Sequence, residues 1–155
     1  MIIEINGLYS NLKFSSSHIV FGHKTCGGIH GHTYYLDVKL FGEKKDEFLC
    51  DFKIVKKIAK NICKELDHKL LLPKYHKHLI YELRDKSIYF KYKEKEYLIP
   101  VEDVILLPIP STSAEDLAIY IANKINKELN LDNIKWIETS IYEGLGQKAV
   151  YRLVR

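Results

Sequence analysis

The stretch Cys26-Gly27-Gly28-Ile29-His30-Gly31-His32-Thr33-Tyr34-Tyr35-Leu36-Asp37-Val38-Lys39-Leu40 decides how this chain is read. From Thr33 it has the aromatic and β-branched content of a β-strand, and the expected strand runs Thr33 to Phe41 and closes at Gly42-Glu43-Lys44-Lys45. If the strand extends back through the histidines, the pleat puts His30 and His32 on one face, roughly 6.6 Å apart along the chain, where both imidazoles can lean toward one ion. Cys26, four residues upstream of His30, is a candidate catalytic thiol beside that pair.

A zinc ion in an enzyme usually takes three protein ligands and keeps one position open, so a third histidine is expected elsewhere. His18 is the best candidate. It ends Leu12-Lys13-Phe14-Ser15-Ser16-Ser17-His18, which reads as a strand, and an antiparallel return across the glycine-rich loop would bring it beside His30 and His32. His23 lies inside that loop, and His76 and His78 sit in a lysine-rich stretch that reads as solvated surface. A His-x-His pair alone on a strand is more often structural than metal-binding. An independent upstream histidine and a neighbouring cysteine turn the balance toward a metal centre.

Working outward, Met1 to Ser17 alternates loosely enough to be one long or bent strand. Asp51 caps a segment whose apolar residues Ile54, Val55, Ile58, Ala59, Ile62, Cys63 and Leu66 recur at intervals of three and four, an amphipathic helix. Pro73 in Asp67-His68-Lys69-Leu70-Leu71-Leu72-Pro73 rules out its simple continuation. Ile88, Phe90 and Tyr92, then Tyr97 and Ile99, flank Lys93-Glu94-Lys95-Glu96 and read as an inserted β-hairpin over about 86–100, although its turn lacks glycine. Ser113 with Asp116 three residues on is a carboxylate variant of the capping box, opening a second helix along Leu117, Ala118, Ile121, Ala122, Ile125 and Leu129. Ile134 to Glu143, the turn Gly144-Leu145-Gly146-Gln147 and Lys148 to Val154 make a terminal hairpin. The expected architecture is α+β: an antiparallel four-stranded sheet with two helices on one face plus the inserted hairpin, forming one domain over residues 1–155.

Composition narrows the function classes. A chain of 155 residues, 46% hydrophobic and 28% charged, has the make-up of an ordinary soluble domain, able to bury about 70% of its unfolded surface. There is no apolar run of membrane-spanning length, and Met1-Ile2-Ile3-Glu4-Ile5-Asn6-Gly7 lacks the pattern of a signal peptide, so a cytoplasmic protein without a membrane partner is expected. Cys26, Cys50 and Cys63 form no disulfide or zinc-ribbon pattern, which suits a reducing compartment, and Cys63 reads as a small core residue. The net charge of +4 is spread without one dense basic cluster, which argues against a nucleic-acid partner and is compatible with a polyphosphorylated small substrate.

Five motifs in order, Phe14 to His18, Cys26-x-x-x-His30-Gly-His32, Leu66-Asp67-His68-Lys69, Ser113-Ala114-Glu115-Asp116-Leu117-Ala118 and Tyr142-Glu143, resemble the 6-pyruvoyltetrahydropterin synthase and 6-carboxytetrahydropterin synthase (QueD) family from about Phe14 to Glu143. Taken residue by residue, each of these acidic or imidazole groups also has a bland reading: Asp67-His68 as helix-end chemistry, Glu115 as a first-turn carboxylate, Glu143 as an exposed strand end. The resemblance implies the tunnelling fold (T-fold), Zn2+ held by His18, His30 and His32, and Cys26 as the catalytic thiol. It further implies Asp67 and His68 as a proton-transfer pair, Glu143 as pterin anchor and relay member, and Glu115 beside the pterin pocket. The assembly it implies is a homohexamer, a dimer of trimers with active sites between subunits.

The short Cys26 to His30 spacing looks like the carboxy-forming branch. That branch is a carbon-carbon lyase converting 7,8-dihydroneopterin triphosphate to 6-carboxy-5,6,7,8-tetrahydropterin, with loss of acetaldehyde and triphosphate, for 7-deazaguanine (queuosine or archaeosine) synthesis. The alternatives are triphosphate elimination to 6-pyruvoyltetrahydropterin, a phosphorus-oxygen lyase reaction, or a zinc-binding module without turnover. Cleavage to a hydroxymethyl pterin fits less well, since the members doing this place a glutamate near the thiol and Gly27 offers none. Three features depart from the family pattern: more than forty residues separate His68 from Ser113, Ser113 stands for a usual threonine, and Asp116 stands for a usual asparagine.

Overall fold

A computed structural model describes residues 1–155, in which the His30-x-His32 pair opens the longest strand of the molecule. The elements are β1 (Ile2–Ile5), β2 (Lys13–His18), β3 (His30–Gly42), α1 (Phe52–Leu66), β4 (Leu70–Pro73), β5 (Ile80–Arg84), β6 (Ser87–Tyr92), β7 (Lys95–Pro100), β8 (Val104–Leu107), α2 (Ala114–Glu128), β9 (Ile134–Glu143) and β10 (Lys148–Val154). A 3₁₀ turn, Val101–Asp103, joins β7 to β8. No helix is long and apolar enough to cross a membrane.

The α+β class and the two helices are as expected. The four-stranded antiparallel sheet is not: the main sheet has seven strands in the order β10-β9-β3-β2-β4-β8, with β1 also on β3, and it is mixed. β2 pairs with β4, and β4 with β8, in parallel. Both extra strands are four-residue apolar runs, too short for periodicity to reveal them. Leu70, Leu71 and Leu72 are all buried because β4 is covered on both sides: Leu71 joins the main core and its two neighbours join a second one.

Met1 to Ser17 is not one strand. Gly7 packs so closely on the Leu36 backbone that a Cβ would stand 2.4 Å from the Leu36 carbonyl oxygen, and its N–H donates to Asp37 Oδ1 at 2.8 Å. This anchor turns the chain between β1 and β2, with Asn11 at φ 54° completing the reversal. The inserted hairpin is present as β6 and β7, and a third strand, β5, extends it to a separate three-stranded sheet. Its two-residue turn is Lys93-Glu94, with Lys93 at φ 52° where a glycine would be the easier residue. Ile88 and Phe90 bury against Ile19, Leu70 and Leu72, on the side of β4 away from the helices.

Both helices cover the other face. The even residues Tyr34, Leu36, Val38 and Leu40 of β3 meet Ile137 and Ile141 of β9 and the apolar stripes of α1 and α2 in one core. Val55, Ile58, Ala59, Ile62, Cys63 and Leu66 supply the α1 stripe, and fully burying each large aliphatic side chain contributes about 1.5–3 kcal/mol. Asp51 caps α1 by accepting from the Lys53 N–H at 2.8 Å, and Ser113 caps α2 by accepting from Asp116 N. α1 stops at Asp67, which is extended (ψ 139°), and His68 turns left-handed at φ 57°.

That stop is fastened to β2. Asp67 Oδ1 accepts from Ser15 N at 2.7 Å, His68 N donates to Ser15 O at 2.7 Å, and Ser17 N donates to Lys69 O at 3.0 Å. The serine run of β2 therefore serves as a seam between the sheet and the end of α1, and it fixes the strand that carries His18.

Candidate active site

β2 and β3 pair antiparallel with His18 opposite His30 and Ser16 opposite His32, so the three histidines fall on the helix-facing side of the sheet. Their ligating nitrogens lie within 4.8 Å of one another. His18 Nδ1 stands 2.7 Å from the Thr112 carbonyl and His30 Nδ1 2.9 Å from the Gly28 carbonyl. A carbonyl oxygen can only accept, so each Nδ1 carries the ring proton and each Nε2 presents a lone pair.

Those two lone pairs face each other at 3.0 Å. Two neutral acceptors gain nothing from such an approach unless a cation lies between them. His18 does not carry a proton in that role near neutrality, because burial, and the neighbouring His30 and His32, outweigh the Thr112 hydrogen bond and push its pKa down to about 4. His32 Nε2 is buried with no protein partner. Three converging imidazoles, two turned to present Nε2 by carbonyls at Nδ1 and one orphaned, fit a zinc ion, whose ligands around 2.0–2.1 Å bring nitrogens to about 3.3 Å of each other.

A cavity of ≈ 410 Å³ adjoins this triad and gathers His23, Cys26, Ser113, Glu115, Glu143, Gln147 and Lys148. Glu143, at the end of β9, brings Oε1 to 3.9 Å from His18 Nε2 and so links cavity and triad. Glu115 enters from the first turn of α2, where the Ser113 cap sets the helix start. Cys26 enters from the loop between β2 and β3, which is closed at its base by Val20 N donating to Cys26 O at 3.0 Å.

His23, in the same loop, supports the segment that carries the thiol. Its Nδ1 accepts from Cys26 N at 3.1 Å and is 3.1 Å from Thr25 Oγ1, which itself stands 3.7 Å from Cys26 Sγ. The ring proton of a neutral His23 is thereby placed on Nε2.

Asp67 and His68 do not join Cys26 within one chain. They pair with each other, His68 Nδ1 to Asp67 Oδ2 at 2.8 Å, and His68 is 84% exposed. Burial raises the Asp67 carboxyl, but the Ser15 N–H and His68 outweigh it and leave it below the usual range. Their side chains border grooves at the β2 end of α1, lined by Ser15, Lys64 and Lys69 among others, and not the Cys26 cavity. Thr112, Gln147 and Lys148 were missed by sequence reasoning. Thr112 acts through its carbonyl, which every residue has, so no side-chain pattern could have signalled it.

The chain matches a family model described as 6-pyruvoyl tetrahydropterin synthase over residues 7–153. A Methanocaldococcus jannaschii protein provisionally named 6-carboxy-5,6,7,8-tetrahydropterin synthase is 68% identical over 157 residues, covering 98% of this chain and 96% of that one. A Pyrococcus horikoshii protein with the same provisional name is 32% identical over 139 residues, covering 88% and 83%. Among solved structures, Plasmodium falciparum 6-pyruvoyl tetrahydropterin synthase superposes with a TM-score of 0.92 at 28% identity, covering 100% of this chain and 98% of that one. Such neighbours and the mixed α+β layering fit the T-fold.

Proposed function

Because the chain belongs to the 6-pyruvoyl tetrahydropterin synthase family, we propose that it is a zinc-dependent 6-carboxytetrahydropterin synthase. It would convert 7,8-dihydroneopterin triphosphate and water to 6-carboxy-5,6,7,8-tetrahydropterin, acetaldehyde and triphosphate, as a carbon-carbon lyase of 7-deazaguanine precursor synthesis. The observation that carries the reading is the convergence of one ring nitrogen from each of the three histidines beside a cavity holding both Cys26 and Glu143. Similarity to proteins carrying the carboxy-forming name favours this branch over triphosphate elimination.

His18, His30 and His32 would hold the zinc, with Thr112 and Gly28 carbonyls fixing the orientation of two of them. When bound, the zinc supplies Lewis acidity toward the two neighbouring hydroxyls of the substrate side chain. Cys26 is the base that removes the activated side-chain proton, and the His23 ring holds its loop in place. The Glu143 carboxylate accepts two parallel hydrogen bonds from the pterin amino group and ring N–H, and Glu115 borders the same ring.

His68, oriented by Asp67, returns a proton during the internal redox shift. Since that pair shares no cavity with Cys26 in its own chain, a second copy must bring it, and the assembly we infer is the homohexamer of stacked trimers. The working compartment in this reading is the cytoplasm, with the whole chain acting as one domain.

Anaerobic incubation of zinc-loaded protein with dihydroneopterin triphosphate tests the reading, with the pterin followed by mass spectrometry and acetaldehyde measured in parallel. A carboxy-tetrahydropterin with matching acetaldehyde is expected. A pyruvoyl product without acetaldehyde would move the protein to the eliminating branch, and unchanged substrate at full zinc occupancy would leave a binding module.

A further inference from the structure

The tip of the inserted sheet is fastened to the loop that carries Cys26. Tyr92, the last residue of β6, packs on Phe21 with ring centroids 4.6 Å apart and planes tilted by 42°, and His76 closes on Phe21 at 5.1 Å. A Cβ on Gly22, where φ is +88°, would stand 3.3 Å from the Tyr92 hydroxyl. Between tip and loop lies a groove of ≈ 470 Å³ lined by Lys24, Lys93, Lys95, Glu94 and His23 together with Gly22, Gly27, Gly28 and Tyr92. His23 also lines the Cys26 cavity, so the two spaces meet at that ring.

Three features give this groove the chemistry of an anion site. None of Lys24, Lys93 and Lys95 pairs with a carboxylate, whereas the neighbouring Lys91 is engaged by Glu96 at 3.2 Å. The backbone N–H groups of Gly27 and Gly28 donate to no protein acceptor. Gly27 is required by the His23 carbonyl, which a Cβ would meet at 2.4 Å, but Gly28 has no left-handed φ and a Cβ there would meet nothing within 4 Å. The fold itself makes no demand for glycine at position 28, and its absence of a side chain leaves the backbone open to an approaching group. Glycine-loop amides combined with lysine ammonium groups suit phosphate oxygens.

The geometry points to this groove as the subsite for the polyphosphate chain of the substrate, leaving the Cys26 cavity past His23. The assignment rests on the pterin triphosphate reading above, and it gives the inserted sheet a role in substrate binding. Glu94, at the turn beside two of the lysines, opposes the same anion and limits its affinity.

Calorimetric titration of zinc-loaded protein with inorganic tripolyphosphate, supplied as its magnesium complex and with zinc content checked afterwards, tests the proposal. Replacing Lys24, Lys93 and Lys95 together by Ala should weaken tripolyphosphate binding by about tenfold, the size expected of three exposed charge contacts. Glu94→Gln should strengthen it, and both effects should shrink as salt is raised. Unphosphorylated dihydroneopterin, titrated separately, should bind the triple variant as it binds the wild type. Equal tripolyphosphate affinity in wild type and triple variant, or no binding to the wild type, would overturn the subsite. Lysine-dependent tripolyphosphate binding without any dihydroneopterin binding would uphold the anion site while sinking the pterin reading.

Discussion

Acid should destabilise the metal-free protein through His18. His18 is 1% exposed and its native pKa lies at about 4, below the ordinary 6.5, because burial and two neighbouring imidazoles disfavour its charge. The native pKa lies below the unfolded one, so the unfolded chain takes the proton first. The full stability is present above pH 6.5 and is lost as the pH falls from there toward about 4. Between pH 7 and pH 5 the linkage amounts to about 2 kcal/mol, roughly a thirtyfold shift toward the unfolded state.

Other histidines and carboxylates titrate over the same range, so the assay compares two proteins. Urea unfolding of metal-free wild type and His18→Gln, each at pH 7 and pH 5, isolates the residue, since a glutamine amide can still donate to the Thr112 carbonyl. The wild type should lose about 2 kcal/mol more than the variant over that interval. Equal losses would mean that His18 is not held neutral by its surroundings, and the argument for a free Nε2 lone pair would fail with it. Adding zinc should raise stability at pH 7 and steepen the wild-type profile, because bound metal keeps protons off the native nitrogens while the unfolded chain still takes them up.

Cys26→Ala should keep zinc and the fold while turnover of dihydroneopterin triphosphate drops by about 10²–10⁴-fold, the range for losing a general base; release of zinc, read by elemental analysis, would make the thiol a ligand instead. His32→Ala should lose the metal, since its buried Nε2 has no other partner, and retained stoichiometric zinc would point to a different ligand set. Ser113→Ala removes the cap that starts α2 just where Glu115 enters the cavity, and should cost about 1 kcal/mol in chemical denaturation. Mixing a Cys26→Ala chain with a His68→Ala chain should restore part of the activity if two copies share a site, and no recovery in mixed oligomers would place the whole relay in one chain.

What the sequence determined on its own is what local covalent geometry enforces. The three-and-four spacing of Val55 to Leu66, the caps at Asp51 and Ser113, and the two-residue period that sets His30 and His32 on one face all act within a few residues, so they survive any choice of tertiary partner. The antiparallel return that brings His18 to His30 was legible for the same reason: two strand patterns flank one glycine-rich loop.

Only the tertiary structure decided the partners that lie far apart along the chain. Leu70–Pro73 and Val104–Leu107 carry no directional signal, and their parallel pairing depends on two cores closing on opposite faces of β4. The Thr112 carbonyl reaches His18 across 94 residues, and Lys24 meets Lys93 and Lys95 because Tyr92 docks on Phe21. Such meetings are set by burial and shape over the whole molecule, where each apolar run has several acceptable partners and packing selects one.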